Sequence, residues 1–134
     1  MTVSCDGASR GNPGPAGAGA QIVDADGAVL AEIAEGIGET TNNVAEYTAV
    51  IRGLEKAREL GASDVLLRSD SQLLINQLIG SYRVKTPHLQ PLHRRVRGLA
   101  AGFESIEFEH VRRERNTEAD RLANQGVDAW LAAR

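Results

Sequence analysis

The sequence predicts an α/β fold: a five-stranded mixed sheet, three antiparallel strands followed by two parallel to the first, flanked by helices. Three observations carry this reading. Before Asn43 the chain runs in short stretches of alternating or small apolar residues, broken by turn formers. From Asn43 the apolar period lengthens to three and four residues. Beyond Gly61 strand-like and helix-like stretches alternate, and a strand, helix, strand order implies a right-handed parallel crossover.

Thr2 to Asp6 alternates short apolar and polar residues and ends in Asp-Gly, as a strand does. A loop of turn formers follows, Ala8-Ser9-Arg10-Gly11-Asn12-Pro13-Gly14-Pro15. Ala16 to Val23 and Ala28 to Ile37 read as strands joined by a hairpin at Asp26-Gly27. In the first helix Val44, Tyr47, Ile51, Leu54, Ala57 and Leu60 recur on one face, and Gly61 stops it. Val65-Leu66-Leu67 is a continuous apolar run suited to a strand covered on both faces, and Ser71 to Ile79 reads as helical. Pro87 to Phe103 forms the next helix, with Leu89, Leu92, Val96, Leu99 and Phe103 inward. Ser105 to Val111 alternates as a fifth strand, and Thr117 to Leu131 closes the chain as a helix with Leu122, Ala123, Val127 and Trp130 inward.

A length of 134 residues, 42% of them hydrophobic, fits one domain over residues 1–134 with its own core. No apolar run approaches the roughly 20 residues that span a bilayer, and the chain opens on a strand pattern and not on a signal segment. The expectation is a cytoplasmic monomer with no membrane partner. A single cysteine, Cys5, excludes an internal disulfide and a cysteine metal cluster, and it reads as a small buried residue of the first strand. The net charge of −3 does not mark a polyanion partner, but its distribution is uneven. Tyr82 to Ala101 contains no acidic residue and carries Arg83, Lys85, Arg94, Arg95 and Arg97 beside His88 and His93. Arg112, Arg113, Arg115 and Arg121 form a second basic group around Asp120. Such groups are either solvated faces or a local phosphate-binding surface.

Four carboxylates stand where the predicted elements begin or end. Asp6 closes the first strand and Asp70 the fourth, while Glu46 and Asp120 lie in the first turns of helices. Each has a structural explanation alone: Asp6 as a turn residue, Asp70 as an N-cap, Glu46 and Asp120 in capping boxes with Asn43 and Thr117. In open α/β sheets, however, sites gather at the carboxyl ends of parallel strands. If the first and fourth strands are neighbours, the carboxylates converge into a cage that divalent metal makes tolerable. The glycine-rich stretch from Gly7 to Gly19 lacks the Gly-Lys-Ser/Thr ending of a phosphate loop and the spacing of a dinucleotide fingerprint. It reads instead as backbone passing close to a ligand and carrying Ser9 and Asn12 to it.

Four strings, in order and from end to end of the chain, resemble type 1 ribonuclease H: Cys5-Asp6-Gly7-Ala8-Ser9-Arg10-Gly11-Asn12-Pro13-Gly14-Pro15, Thr40-Thr41-Asn42-Asn43-Val44-Ala45-Glu46-Tyr47, Ser69-Asp70-Ser71-Gln72, and Asn116-Thr117-Glu118-Ala119-Asp120-Arg121-Leu122-Ala123. The resemblance implies the ribonuclease H-like fold and an endonuclease that cuts the RNA strand of an RNA/DNA hybrid, leaving 3′-hydroxyl and 5′-phosphate ends. It implies Asp6, Glu46, Asp70 and Asp120 as ligands of two Mg²⁺ ions, with Mn²⁺ as a substitute. Two ions roughly 4 Å apart would activate a water and stabilise the leaving oxygen. By the same resemblance Asn12, Asn43 and Gln72 read 2′-hydroxyls in the minor groove, helped by backbone near Gly7, Ser9 and Asn42, and Thr41 holds a phosphate of the DNA strand.

The chain also departs from the family pattern. Better-known members carry a long loop with a histidine before the last helix, whereas the stretch from Val111 to Asp120 is short here. Strand register puts His110 on the face of Ile106 and Phe108, as a packed residue, which leaves Arg113 as the residue near the scissile phosphate. Larger members insert a basic, tryptophan-rich protrusion where this chain has only Gly80 to Pro87, with Tyr82 free to stack on a deoxyribose or to join the core. The alternatives are a related metal-dependent nuclease of the same fold and a noncatalytic hybrid-binding module. The Asn43 and Gln72 contexts speak against the first, and four like charges without a metal speak against the second.

Overall fold

The computed structural model describes residues 1–134. Its elements are β1 (Thr2–Ser9), β2 (Gly14–Val23), β3 (Val29–Thr40), α1 (Asn42–Glu59), β4 (Asp64–Ser69), α2 (Gln72–Leu78), α3 (Gln90–Ala100), β5 (Ser105–His110) and α4 (Thr117–Ala132). The strand order is β3-β2-β1-β4-β5, with β1–β2 and β2–β3 antiparallel and β1–β4 and β4–β5 parallel. This is the predicted sheet, and β1 and β4 are neighbours. No helix is long and apolar enough to cross a membrane.

Alternation along β2 sorts the two faces. Ala18, Ala20 and Ile22 join Val3, Cys5, Leu54, Val96 and Leu99 in the main core, under α1 and α3. Between them, Gly17 and Gly19 face α4. A Cβ on Gly19 would run into the backbone of Ala119 and Ala123, so the missing side chain is what lets α4 lie directly on the sheet. Gly7 acts likewise on the other side, where a Cβ would meet the backbone of Ala45 and Glu46.

Several boundaries differ from the sequence reading, for local reasons. β1 does not end at Asp6 but continues to Ser9, because Gly7, Ala8 and Ser9 pair with Ala18, Gly17 and Ala16 of β2. Only the parallel ladder to β4 stops there, at Cys5 opposite Ser69. The helix expected from Pro87 starts as a 3-10 turn, Pro87–Leu89, and α3 ends at Ala100. Val65 and Leu67 are buried, whereas Leu66 and Arg68 are half-buried. β4 is therefore not covered on both faces: α4 lies over β1, β2 and β3, and Arg68 pairs with Glu109 of β5 at 2.8 Å.

The expected capping boxes are also absent. α1 is capped by Thr41, whose hydroxyl accepts from the Val44 N–H at 3.3 Å, and Glu46 lies in the second turn. α2 is capped by Ser71, not Asp70. α4 begins after Asn116, whose side chain is turned elsewhere. Cys5 is a buried strand residue as expected, 1% exposed, with its thiol pushed upward by burial and by the charge of Asp6.

Candidate active site

Asp6 sits one residue past the last β1–β4 pair, and Asp70 directly follows β4. Parallel neighbours thus deliver two carboxylates side by side, as β1 and β4 diverge. Glu46 is brought alongside because α1 rests against Gly7, and Asp120 because α4 rests against Gly19. With Gly7, Asn42, Ser71 and Arg113 these four line one cleft of about 360 Å³ that contains no apolar side chain. Larger and more apolar hollows exist elsewhere, but only this one gathers the carboxylates.

The cleft is short of positive charge. Burial, then the charge of Asp70, a hydrogen bond with Asp120 and the charges of Asp120 and Glu46 push the Asp6 carboxyl up to about 8. Burial also raises Glu46, opposed by a hydrogen bond from Ser71 and reinforced by Asp70. Asp70 is raised by burial and pulled back by Arg113 and, more weakly, by His110. The Arg113 guanidinium stands 4.0 Å from the Asp70 carboxylate and is 89% exposed, so it offsets little of the cleft's charge.

This donor set fits hard divalent cations. It is all oxygen, partly buried and in excess of its own countercharges. No group of three is drawn together closely enough to hold an ion by itself. A divalent ion held here would therefore complete its coordination with water or other oxygen ligands.

The remaining residues named from sequence fall around the cleft. Asn12 accepts the Asn42 N–H at 3.1 Å and ties the β1–β2 loop to the start of α1. Ser9 donates to the Thr40 carbonyl at 2.9 Å, so its hydroxyl holds the loop in shape. Asn43 and Gln72 are exposed in the first turns of α1 and α2, and neither is the cap. Tyr82 is 54% exposed, which removes the core-packing alternative. It lines a polar cleft with Arg83, His93, Arg94 and Arg97 at the far end of α2.

His110 is not packed. It is on the face of Ile106 and Phe108, but those two turn into the groove between α2 and α3 while His110 lies beyond it, exposed at the end of β5. Its charge reaches Asp70. The sequence reading missed Ser71 as a wall of the cleft and a partner of Glu46; its place directly after Asp70 was the available signal. It also gave Asn116 no role beyond its place at the head of the fourth family-like string.

The family model described as Reverse transcriptase-like matches residues 4–126. A Ribonuclease H of Pseudomonas fluorescens is 36% identical over 143 residues, covering 96% of this chain and 92% of that protein. The chain belongs to the type 1 ribonuclease H family. The N-terminal RNase H domain of a Mycobacterium tuberculosis protein, solved as a fusion with maltose binding protein, superposes on this ribonuclease H-family chain with a TM-score of 0.92 at 48% identity, covering 95% of it and 98% of that chain. LC11-RNase H1 in complex with an RNA/DNA hybrid superposes with a TM-score of 0.91 at 41% identity, covering 97% and 98%. The chain spans about a third of the length of the mycobacterial proteins it matches, 36% for the bifunctional protein of Mycobacterium tuberculosis.

Proposed function

We propose that this chain is an endoribonuclease that hydrolyses the RNA strand of RNA/DNA hybrids and leaves 3′-hydroxyl and 5′-phosphate ends. The observation that carries the reading is the single polar cleft lined by Asp6, Glu46, Asp70 and Asp120, in a chain whose structural relative was solved with such a hybrid. Asp6, Glu46, Asp70 and Asp120 would hold two Mg²⁺ ions, or Mn²⁺ in their place. Bound there, divalent ions supply an activated water and charge stabilisation at the departing oxygen.

The chain's own groups do the rest. The carboxylates anchor the positive charge that a phosphodiester needs to enter an acidic cleft. Arg113, exposed beside Asp70, contacts the phosphate but cannot serve as a base, since its guanidinium stays protonated. Asn12, Asn43 and Gln72 offer side-chain amides to 2′-hydroxyls in the minor groove, helped by backbone near Gly7, Ser9 and Asn42; these hydroxyls separate RNA from DNA. Thr41 lies at the N-terminus of α1, where a phosphate of the DNA strand is favoured. Tyr82 stacks on a sugar further along. The reading includes a cytoplasmic, monomeric protein with no membrane partner. Incubating the protein and Mg²⁺ with end-labelled hybrid, double-stranded RNA and double-stranded DNA tests it. Cleavage of the RNA strand of the hybrid alone, with mapped 3′-hydroxyl ends, is the expected result, and an uncut hybrid would overturn it.

A further inference from the structure

Asn116 is 2% exposed and is no part of the wall of the acidic cleft, yet its polar groups reach the backbone around three residues that are. Its Nδ2 donates to the carbonyl of Cys5 at 2.9 Å, and Cys5 directly precedes Asp6. Its own carbonyl accepts the Asp120 N–H at 3.1 Å, and its N–H donates to the Arg113 carbonyl at 2.9 Å. The side chain and the backbone N–H and carbonyl of one residue thus join β1, the turn bearing Arg113 and the first turn of α4. The join stands where it is needed, because the β1–β4 ladder ends at Cys5 and Asp6 has no pairing to β4 beyond it.

The side chain does this at the expense of its ordinary duty. An asparagine before a helix turns its oxygen onto the N–H groups of the first turn. Here α4 receives no side-chain cap, and Asn116 Oδ1 is buried with no partner. A buried unpaired acceptor is destabilising, so a residue selected only to start α4 would point the other way. We infer that Asn116 is a positioning residue: it pins α4 to β1 so that Asp120 and Asp6 keep their spacing across the cleft. The inference rests on the hybrid-cleaving reading above. Its physical basis is the steep dependence of catalysis on placement, where a displacement of about 1 Å can cost on the order of a hundred-fold in rate.

Two variants separate the tie from the cap. Asn116→Ser keeps a capping hydroxyl but is too short to reach Cys5, and Asn116→Asp keeps the shape and a capping oxygen but, at an assay pH high enough to ionise it, has no hydrogen to donate. Val127→Ala, in the buried face of α4, is the control that loosens helix packing without touching the tie. Assayed below their melting temperatures, both Asn116 variants should lose about 10- to 100-fold in kcat with KM for the hybrid within about twofold, while Val127→Ala retains kcat at a similar loss of Tm. A crystal structure of the metal-free Asn116→Ser protein, or of Asn116→Asp if the serine form does not fold, should show a widened separation of the Asp6 and Asp120 carboxylates. Parental kcat in both variants, or an unchanged separation, would overturn the inference. A parent chain that cuts no hybrid would instead defeat the proposed function, and the separation would still test the tie.

Discussion

The same residue types are used in opposite ways on two sides of α1. On its outer side, Arg52 sits between Glu35 at 2.8 Å and Glu55 at 3.2 Å, and Arg95 reaches Glu55 at 3.1 Å. Glu35 and Glu55 each have a guanidinium partner and a share of solvent. In the cleft at the head of α1, four carboxylates face one another with a single arginine 4.0 Å from one of them. Removing like charges from water without partners is costly, and burial with the neighbouring carboxylates pushes the Asp6 carboxyl upward. Where the outer side of α1 gives its carboxylates cationic partners and the cleft leaves its own without them, the partner missing from the cleft is a cation.

The largest effect expected from breaking this contrast is on turnover. Asp6→Asn or Asp70→Asn replaces an anionic ligand by a neutral one of similar shape, so hybrid cleavage in Mg²⁺ should fall on the order of a hundred-fold or more. Near-normal turnover of either variant would remove the carboxylates from the mechanism. Metal-free stability should move the opposite way. Asp6 keeps a proton in the folded chain up to about 8 that the unfolded chain releases near 3.8. Folding therefore takes up a proton across that window, and Asp6 costs stability progressively as the pH rises through it. In chelator, Asp6→Asn should melt higher than the parent at pH 8, with the gap closing toward pH 4. A gap that does not change with pH would show that Asp6 is not held protonated.

Arg113 and His110 sharpen the comparison, since both stand beside Asp70 and both are exposed. Arg113→Ala should lower cleavage at saturating hybrid while Tm changes little, because a charge-assisted phosphate contact is lost outside the core. His110→Ala should likewise leave stability within about 0.5 kcal/mol, as surface substitutions do. If the histidine variant is the less active of the two, the histidine and not the arginine serves the phosphate.

Smaller effects are expected where neutral amides meet the hybrid. Asn43→Ala and Gln72→Ala each remove a hydrogen bond worth on the order of 1 kcal/mol, roughly a five-fold loss in kcat/KM. Since neither residue is a cap, Tm should hardly move, and parental kinetics in both would leave them without a role. The smallest effect belongs to the paired side of α1. Arg52→Ala should cost about 0.5–1 kcal/mol, less at high salt, with hybrid cleavage unchanged. A loss of activity there would mean that the outer network and the cleft are coupled.

The sequence alone determined the element order, the sheet topology and the four carboxylates, because hydrophobic period, turn residues and short motifs are local signals. The Asp6–Asp70 pair followed as soon as β1 and β4 were taken as neighbours. The tertiary structure decided what depends on distance. Whether Asp6 ended a strand turned on pairing of Gly7, Ala8 and Ser9 with β2, which glycine-rich composition conceals. Whether His110 was packed turned on how far the α2–α3 groove extends along β5, a limit that alternation along one strand does not contain. Thr41 and Ser71 displaced the caps expected at Asn43 and Asp70 because candidate capping residues stood in a row, and only the helix start distinguishes them. Asn116 lay furthest from view: its partner Cys5 is 111 residues away, and a hydrogen bond across that span exists only once the sheet and the last helix have been brought together.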